Sequence, residues 1–463
     1  MLGKLSDSPN FYSQKKTSFK RDKSSLIYSQ LPEGVLRTNF KIMLEIAVIR
    51  NNAEEIKKRL AVKNFKEVNL INEVLAIDEQ RRSIQTKLDE NLSKQNVIAK
   101  EIGDLFKQGK KEDAEKKKGE TASLKEESKQ FEIELAKAEE GIKNILVQIP
   151  NTPHASVPIG KTPEENEVVK TVGNIPTLHD GALPHWDLAK KYDLFDLELG
   201  VKITGAGFPV YKKKGAKLQR ALISFFLDNA IEAGYMEVIP PHMVNEASAF
   251  ATGQLPDKEG QMYVTKEEGF YLIPTAEVPV TNIVRDEILE NLPVKFTAYS
   301  PCFRREAGSY GKDVRGLNRV HQFDKVEIVQ IVHPEKSYAT LEEMAKHVEG
   351  LLQKLELPYR VLRLCGGDMS FASALTYDFE VYSAAQKRWL EVSSVSNFET
   401  FQSNRMKVRF RDENKKTRLA HTLNGSALAL PRIVASLLEN HQTAEGIKIP
   451  AALQSYTGFS LIS

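Results

Sequence analysis

Residues 43–150 contain few glycines and no proline before Pro150, and this restricts the fold more than any other feature of the chain. Two long stretches carry apolar residues at the three- and four-residue spacing of one helix face. These residues are Ile71, Val74, Ile84, Leu88, Ile98, Ile102 and Leu105 in the first stretch, and Leu124, Phe131, Leu135, Ala138, Ile142 and Ile145 in the second. The pattern predicts two helices that pack along an apolar seam.

The segment between the two stretches predicts a chain reversal. Gly109 and the polar run that ends at Gly119 permit a turn there. We expect an antiparallel helical hairpin whose limbs, of about 35 residues each, reach roughly 50 Å at 1.5 Å per residue. A hairpin of that length cannot be buried against a compact body, so it should project from the rest of the protein.

The end of this hairpin is rich in lysine. The lysines are Lys107, Lys110, Lys111, Lys116, Lys117 and Lys118. Because Glu112, Asp113 and Glu115 interleave with them, the run can be an ordinary solvated surface. It can also contact the phosphate backbone of a nucleic acid. The residues alone leave both interpretations open.

A second informative region is a cationic loop between two predicted strands. Residues 297–303 and 323–332 have strand-like patterns, and the polar segment between them is rich in arginine and glycine. A guanidinium group matches phosphate oxygens with two parallel hydrogen bonds. The loop can therefore be a charged hairpin tip or a binding site for a polyanion.

Bulk properties narrow the class of protein. The net charge of +3 is too small to indicate a nucleic-acid partner without local clusters. The two cysteines, Cys302 and Cys365, have no zinc-ligand spacing, and we expect a reducing, cytoplasmic location. No apolar run approaches the length of a membrane span, so we expect no membrane partner.

The residues Phe303-Arg304-Arg305-Glu306, followed by a loop and a returning strand, resemble motif 2 of the class II aminoacyl-tRNA synthetases. The stretch from Arg315 to Glu327 resembles the seryl-tRNA synthetases of bacterial type, and the resemblance extends from about Met43 to the C-terminus. It implies an α+β fold, in which an antiparallel β-sheet catalytic core flanked by helices follows an N-terminal antiparallel helical hairpin, the coiled-coil arm.

The implied domains are an extension at residues 1–42, a tRNA-binding helical arm domain at 43–150, a linker at 151–184 and a class II catalytic domain at 185–463. Residues 1–42 lack the apolar stretch of a secretory signal, and Asp7, Asp22 and Glu33 count against a mitochondrial one. We interpret them as a disordered extension. The linker is predicted from its proline, glycine, threonine and asparagine content.

The resemblance also implies an ATP site. Amino-acid activation needs fixed cations around the α-phosphate more than it needs a protein nucleophile. Arg304 would contact the α-phosphate and the serine carboxylate, Glu306 the adenine amino group, and Phe323 the adenine ring, although Phe323 also fits an ordinary core position. The residues implied for ATP are Arg304, Arg305, Glu306, Val320, Phe323, Glu391, Val392, Ser393, Ser394 and Arg432, of which Arg304, Glu391 and Arg432 are the catalytic set.

Two further segments complete this site. Glu391 and Ser394, implied as Mg²⁺ ligands, are three residues apart on a predicted strand, so a bulge is required if both touch one ion. Oxygen ligands suit Mg²⁺. Residues 422–440 resemble motif 3, in which Pro431 fits a first helical turn and Arg432 lies at the helix N-terminus, with a family role at the γ-phosphate.

Serine recognition needs buried partners for the hydroxyl group, because an unpaired site then penalises alanine. The residues implied for serine are Thr275, Ala276, Glu277, Arg304, Glu327, Asn424 and Ser426. Glu277 and Glu327 would take the ammonium and hydroxyl groups in an order that the sequence does not assign. Thr275-Ala276-Glu277 is also the pattern of an ordinary helix N-cap.

Residues 215–233 have the spacing of an amphipathic helix, with Leu218, Leu222, Phe225, Phe226 and Ile231 near one stripe. Gly234, a strand at 236–239 and Pro240 follow. Helix, strand and proline resemble motif 1, which implies a homodimer.

The resulting hypothesis is an ATP- and Mg²⁺-dependent serine–tRNA ligase that acts on L-serine and tRNA(Ser), with tRNA(Sec) as a family expectation. The family's arm grips the long variable arm of its tRNA, which favours tRNA binding by the six lysines. The alternatives are another class II ligase, or a synthetase-like RNA-binding protein without catalysis. No Gly-x-Gly-x-x-Gly follows a predicted strand, which argues against a Rossmann domain.

Overall fold

The structure, a computed structural model, describes residues 46–257, 259–306 and 315–463. The predicted extension at 1–42 and most of the motif-2 loop lie outside the described residues. The α-helices of the described residues are α1 (Ile46–Val62), α2 (Leu70–Lys107), α3 (Lys111–Leu146), α4 (His185–Tyr192), α5 (Leu197–Ile203), α6 (Lys213–Glu232), α7 (Glu246–Thr252), α8 (Glu277–Thr281), α9 (Ser337–Lys354), α10 (Thr400–Met406), α11 (Leu430–Asn440) and α12 (Ala451–Thr457).

The strands are short at the edges of the fold and long in its centre. They are β1 (Glu167–Val172), β2 (Phe195–Asp196), β3 (Val210–Tyr211), β4 (Met236–Glu237), β5 (Met243–Val244), β6 (Tyr271–Leu272), β7 (Ile288–Leu289), β8 (Val294–Phe303), β9 (Gln322–Val332), β10 (Tyr359–Arg363), β11 (Leu375–Ser383), β12 (Arg388–Asn397), β13 (Arg409–Arg411), β14 (Thr417–Leu419), β15 (His421–Ala429), β16 (Ile447–Lys448) and β17 (Leu461–Ile462). None of the described helices is both long enough and apolar enough to span a bilayer.

Helices α2 and α3 form the predicted antiparallel hairpin. Partly buried polar contacts link the two helices: Gln95 Nε2 on α2 donates to Ser128 Oγ at 2.7 Å and to Leu124 O at 3.1 Å on α3. The turn is tighter than expected. Gly109 takes a positive φ of 75°, and α3 begins at Lys111, so the polar run to Gly119 is helical rather than part of the turn.

Helix α1, which the sequence analysis did not identify, packs against the base of the hairpin. Ile49 and Leu60 are fully buried there against Ile71 and Leu146. The buried carboxylate of Asp78 on α2 accepts hydrogen bonds from arginines on both helices, namely Arg50 on α1 and Arg81 and Arg82 on α2. The base of the arm is therefore a small core closed by a buried ion pair.

An eight-stranded sheet, in the order β1-β10-β11-β12-β15-β9-β8-β4, forms the centre of the remaining residues. Its neighbours are antiparallel except for β4, which runs parallel to β8. Strand β9 is buried on both faces: Val326 and Ile328 pack with the long helices, whereas Val329 and Ile331 pack with the opposite layer. The α+β class with an antiparallel core is confirmed.

The segment predicted as a linker, residues 151–184, contributes to this sheet. Strand β1 pairs with β10 along its edge. Asn151 is buried, and its Nδ2 donates to the carbonyls of Ala372 and Phe398 at 2.9 and 2.8 Å. The segment therefore joins the arm to the sheet through regular pairing as well as through irregular chain.

Helix α6 agrees with the expected amphipathic helix in all but one position. Leu218, Leu222, Phe225 and Phe226 are buried, but Ile231 is 44% exposed, so its placement on the buried stripe was wrong. Five residues after Phe226, a helical side chain points about 140° away from it.

Candidate active site

An open cavity of about 600 Å³ lies where β8, β9, β12 and the β15–α11 junction meet. The cavity collects most of the predicted site residues from distant parts of the sequence. Those that line it are Thr275, Glu277, Arg304, Glu306, Val320, Phe323, Glu327, Glu391, Val392, Ser393, Ser394, Asn424, Ser426 and Arg432. Two predicted residues are not among the lining residues: Ala276, which is fully buried in the core, and Arg305, whose backbone N–H donates to Gln261 O.

Arg304 follows directly after strand β8. Its guanidinium group lies 5.2 Å from the centre of the Phe323 ring on β9, and its Nε donates to Pro274 O at 3.3 Å. Cys302 on β8 pairs with Phe323 on β9, and this pairing places Arg304, two residues after Cys302, beside the Phe323 ring. The ring and the cation form one wall of the cavity, and the guanidinium Nη atoms, for which the described residues show no hydrogen bond, can donate to an anionic ligand.

Arg432 lies in the first turn of α11, as motif 3 predicted. Its Nε donates to Asn318 O at 2.9 Å, and its Nη1 donates to Glu391 O at 2.7 Å. The Glu391 carboxylate is 3.5 Å from the same nitrogen. One arginine therefore links the motif-2 return, strand β12 and helix α11.

A β-bulge separates Glu391 from Ser394. Glu380 on β11 pairs with Glu391, but the next residue back, Phe379, pairs with Ser393, so Val392 has no partner. An extra residue of this kind changes the alternation of side chains along a strand. Glu391 and Ser394 both line the cavity, and the bulge that a shared metal ion requires is present.

Asp378, which the sequence analysis missed, lies opposite Ser394 on β11. Burial and the Glu391 carboxylate raise the pKa of Asp378 well above its ordinary value, against a hydrogen bond from Ser394 that lowers it. Among the described atoms, Asp378 Oδ1 is buried without a hydrogen-bond partner. A second carboxylate therefore lies beside the two predicted metal ligands.

The other end of the cavity holds a buried ion pair. Lys325 Nζ lies 2.6 Å from Glu327 Oε2 and donates to Thr275 Oγ1 at 2.8 Å. Thr275 Oγ1 in turn donates to Glu327 Oε2 at 3.2 Å and accepts from the Glu277 N–H at 3.2 Å. Thr275 lines the cavity, but the N-cap residue of α8 is Ala276, which makes no side-chain cap hydrogen bond. Thr275 precedes the cap and contacts the start of the helix through the Glu277 N–H, so the expectation of an ordinary N-cap at Thr275 was wrong.

Glu277 begins helix α8 and is buried near Glu327. Its Oε1 accepts from Gln402 Nε2 at 2.6 Å, and Gln402 Oε1 accepts from Thr422 Oγ1 at 2.8 Å. Burial and the Glu327 carboxylate raise the pKa of Glu277 to about 7, and the Gln402 hydrogen bond, Lys325 and Asn424 oppose that rise. Gln402, on α10, carried no motif in the sequence.

Glu306 has a positive φ of 48°, and its carboxylate lies 3.2 Å from Arg319 Nη1. Both residues line the cavity together with the buried Val320. The Glu306 carboxylate, which was expected to contact the adenine amino group, therefore has Arg319 as an ion-pair partner.

The six predicted tRNA-binding lysines lie away from this cavity, at the end of the arm. Lys107 ends α2, Lys110 lies in the turn, and the others lie in the first turns of α3. Lys107 pairs with Asp104 at 3.0 Å, and Lys117 with Glu101 at 3.1 Å. Exposed pairs of this kind contribute little to stability, so a phosphate backbone can replace them.

Comparison with known proteins agrees with this arrangement of the chain. Residues 43–153 match the family model described as the seryl-tRNA synthetase N-terminal domain. Residues 262–441 match the tRNA synthetase class II core domain (G, H, P, S and T). A serine–tRNA ligase of Salinibacter ruber is 51% identical over 424 residues, which cover 91% of this chain and 99% of the relative.

Solved structures show the same similarity in three dimensions. The seryl-tRNA synthetase of Pyrococcus horikoshii, complexed with ATP, has a TM-score of 0.85 and 34% identity, covering 91% of this chain and 99% of that one. The cytoplasmic serine–tRNA ligase of Naegleria fowleri, complexed with AMP, has a TM-score of 0.81 and 28% identity, again covering 91% and 99%.

Proposed function

This chain belongs to the seryl-tRNA synthetase family, whose activity is ATP-dependent serine–tRNA ligation, and on that premise we propose how its residues divide the reaction. The observation that carries the assignment is the convergence of Arg304, Glu391 and Arg432 in one cavity beside the buried network of Thr275 and Lys325. A nucleotide triphosphate and a small hydroxylated amino acid would lie side by side there.

In the first step, a carboxylate oxygen of serine attacks the α-phosphorus of ATP, and pyrophosphate leaves. Seryl-adenylate is formed. Arg304, which lines the cavity beside Phe323, would bind both the attacking carboxylate and the α-phosphate. Such a residue holds the reactants in line and stabilises the charge that develops around phosphorus. In the second step, a terminal ribose hydroxyl of the tRNA attacks the seryl carbonyl, and AMP leaves.

Arg432 would bind the γ-phosphate. In the free protein its Nη1 contacts Glu391, so binding of the triphosphate would exchange a carboxylate partner for phosphate oxygens. The start of α11 adds the positive end of a helix dipole at the same place. Glu391 would then be available for another cation.

We propose that Glu391 and Ser394 hold Mg²⁺ that accompanies ATP. The residues fit such an ion, because Glu391 and Ser394 both line the cavity on either side of the bulge at Val392. Asp378 is not among the cavity-lining residues, but it pairs with Ser394 across the strands and has a buried carboxylate oxygen without a described partner. All of these donors are oxygens, as Mg²⁺ prefers. When bound, the ion would supply positive charge against the ATP phosphates.

Serine would bind among Thr275, Glu277, Glu327, Asn424 and Ser426. Because Lys325 already compensates Glu327, the carboxylate with charge left for the serine ammonium is Glu277. Glu327 and Thr275 would then bind the hydroxyl group. Alanine would leave these buried polar groups unpaired, which is a large penalty.

Amino-acid-dependent exchange of pyrophosphate into ATP tests the activation step. We expect exchange with L-serine and at least about 100-fold less with alanine or threonine. Exchange with another amino acid instead of serine would identify a different class II ligase, and no exchange with any would favour the non-catalytic alternative.

The remaining partners are also proposals. Met236 and Ile239, at and after the edge strand β4, are 57% and 87% exposed, and we propose that a second copy of the chain covers them in a homodimer. A sedimentation-equilibrium experiment that finds only monomers in solution would contradict this homodimer. We further propose that the lysines at the end of the arm bind tRNA(Ser), and that the protein acts in the cytoplasm.

A further inference from the structure

His185 and Trp186, at the start of helix α4, belong to none of the motifs that carry the proposed function. His185 is completely buried. Its Nε2 accepts from the Leu317 N–H at 2.8 Å, and its Nδ1 lies 2.6 Å from Glu439 Oε1. Since a backbone N–H can only donate, Nε2 is the acceptor and Nδ1 carries the proton that is donated to Glu439.

Glu439 lies at the opposite end of α11 from Arg432, and four donors meet at its carboxylate. Besides His185 Nδ1, they are the His185 N–H at 3.0 Å, Gln386 Nε2 at 3.0 Å and the Ser383 hydroxyl. Burial opposes ionisation, but hydrogen bonds from His185 and Ser383 hold the pKa of Glu439 below its ordinary value. A charged, fully bonded carboxylate fixes the orientation of the imidazole ring.

The two residues of α4 both contact the return limb of motif 2, defined here as residues 315–318. His185 holds the Leu317 N–H, and the Arg315 guanidinium lies 4.4 Å from the centre of the Trp186 ring. Between them, Gly316 has a positive φ of 67°, and a Cβ atom there would lie 2.1 Å from His185 Nε2. The return limb therefore packs directly against His185 and Trp186.

The return limb continues to the proposed phosphate site. Asn318 O accepts from Arg432 Nε at 2.9 Å, and Asn318 Nδ2 donates to Gln386 Oε1 at 2.9 Å. Gln386 in turn donates to Glu439. A closed chain of hydrogen bonds therefore runs from the end of α11, through His185 and the return limb, to Arg432 at its start.

We propose that His185 and Trp186 are positioning residues for the ATP subsite. They hold the return limb so that the Asn318 carbonyl orients Arg432 toward the phosphates. This inference rests on the proposed function, since it assumes that Arg432 binds ATP. A purely structural role would affect folding and the amount of active enzyme, but it would not favour one substrate over the other.

The test is serine-dependent pyrophosphate exchange with a matched set of variants. His185→Asn keeps a donor near the Nδ1 position for Glu439 and removes the acceptor for Leu317, whereas His185→Gln keeps an acceptor near the Nε2 position. Trp186→Leu removes only the ring that faces Arg315. Leu188→Val, a conservative change at a buried position of the same helix that leaves the hydrogen bonds of His185 and the ring of Trp186 in place, is the control for lost core packing.

We expect His185→Asn to raise the KM for ATP about tenfold, with the KM for serine changed less than twofold, since about one hydrogen bond is lost at the limb. His185→Gln should restore much of the ATP affinity, and Trp186→Leu should raise the KM for ATP a few-fold. Leu188→Val should lower the melting temperature without altering either KM.

If His185→Asn and Trp186→Leu behave as Leu188→Val does, with unchanged KM values, the inference is wrong. Trp186→Leu alone decides the question if His185→Asn does not fold, because Trp186 lies partly at the surface. Wild-type protein that shows no serine-dependent exchange would instead contradict the proposed function, so the two failures are distinguishable.

Discussion

Lys325 Nζ and Glu327 Oε2 lie 2.6 Å apart, and the two side chains are 7% and 2% exposed. They occupy alternate positions of β9, on the face that lines the cavity. Lys325 supplies positive charge beside the two buried carboxylates of the proposed serine site, and in our proposal its pairing with Glu327 leaves Glu277 for the substrate's ammonium group.

Lys325→Met should weaken serine binding and destabilise the protein. Removing one partner of a buried pair leaves the other charge uncompensated, at a cost of roughly 3–5 kcal/mol. We expect the KM for serine to rise at least tenfold with little change in the KM for ATP, and denaturant unfolding to show the lost stability. Lys346→Met, at an exposed site on α9, is the control. An equal rise in both KM values would contradict a specific role.

The raised pKa of Glu277 predicts how both stability and serine activation change with pH. Its folded-state pKa of about 7 lies above the ordinary glutamate pKa of 4.5. Ionisation therefore opposes folding, so unfolding free energy should fall as pH rises from 4.5 toward 7. In the proposed site the ionised form would bind the serine ammonium, so kcat/KM for serine should rise as pH increases through about 7.

The matched variant for this pH dependence is Glu277→Gln, which cannot ionise. Its kcat/KM for serine should be low and should lack the rise near pH 7. Kinetics of pyrophosphate exchange in buffers of constant ionic strength measure both profiles. An unchanged rise in Glu277→Gln would assign the titration to another group.

Glu391→Gln should raise the Mg²⁺ concentration that half-maximal exchange requires, by at least about tenfold, because a neutral amide is a poorer ligand for a hard cation. Exchange rates measured across Mg²⁺ concentrations at fixed ATP give this value. Glu380→Gln is the matched control, since Glu380 pairs with Glu391 across the strands but contacts Arg360 and is not among the cavity-lining residues. If both variants raised the required Mg²⁺ concentration equally, the proposal that Glu391 binds Mg²⁺ would be wrong.

Shortening the arm should separate the two steps of the reaction. Deleting residues 85–133 and joining the ends with a short glycine turn keeps the base of the hairpin, where Ile71 packs against Leu146. Serine-dependent exchange should remain near the wild-type rate, whereas aminoacylation of tRNA(Ser) should fall by several orders of magnitude. Loss of both activities in a protein that still unfolds cooperatively would contradict a tRNA-specific arm.

Periodicity and local motifs predicted the parts of this structure that depend on nearby residues. The hairpin, the strands around motif 2 and the helix that carries Arg432 agree with expectation because their apolar spacing and turn residues are local signals. The exact turn of the arm was not predicted, since a helix can continue through a polar, glycine-containing run when its partner helix supports it.

Two of the residues missed in the site, Gln402 and Asp378, have roles that come from long-range contacts. Gln402 on α10 is placed by its bond to Glu277, which lies 125 residues away in sequence. Asp378 matters because β11 pairs with β12. Lys325 was missed for a different reason: it alternates with Phe323 and Glu327 along one predicted strand, a local signal that could have placed it on the same face, but the sequence analysis did not use it.

The most direct test of the account is a crystal structure with a non-reactive seryl-adenylate analogue, in which a sulfamoyl group replaces the phosphate. The account predicts the seryl group between Glu277 and Glu327, the sulfamoyl oxygens at Arg304 and the adenine ring against Phe323. An analogue bound in another cavity, or bound here with its seryl group directed away from Lys325 and Glu327, would contradict it.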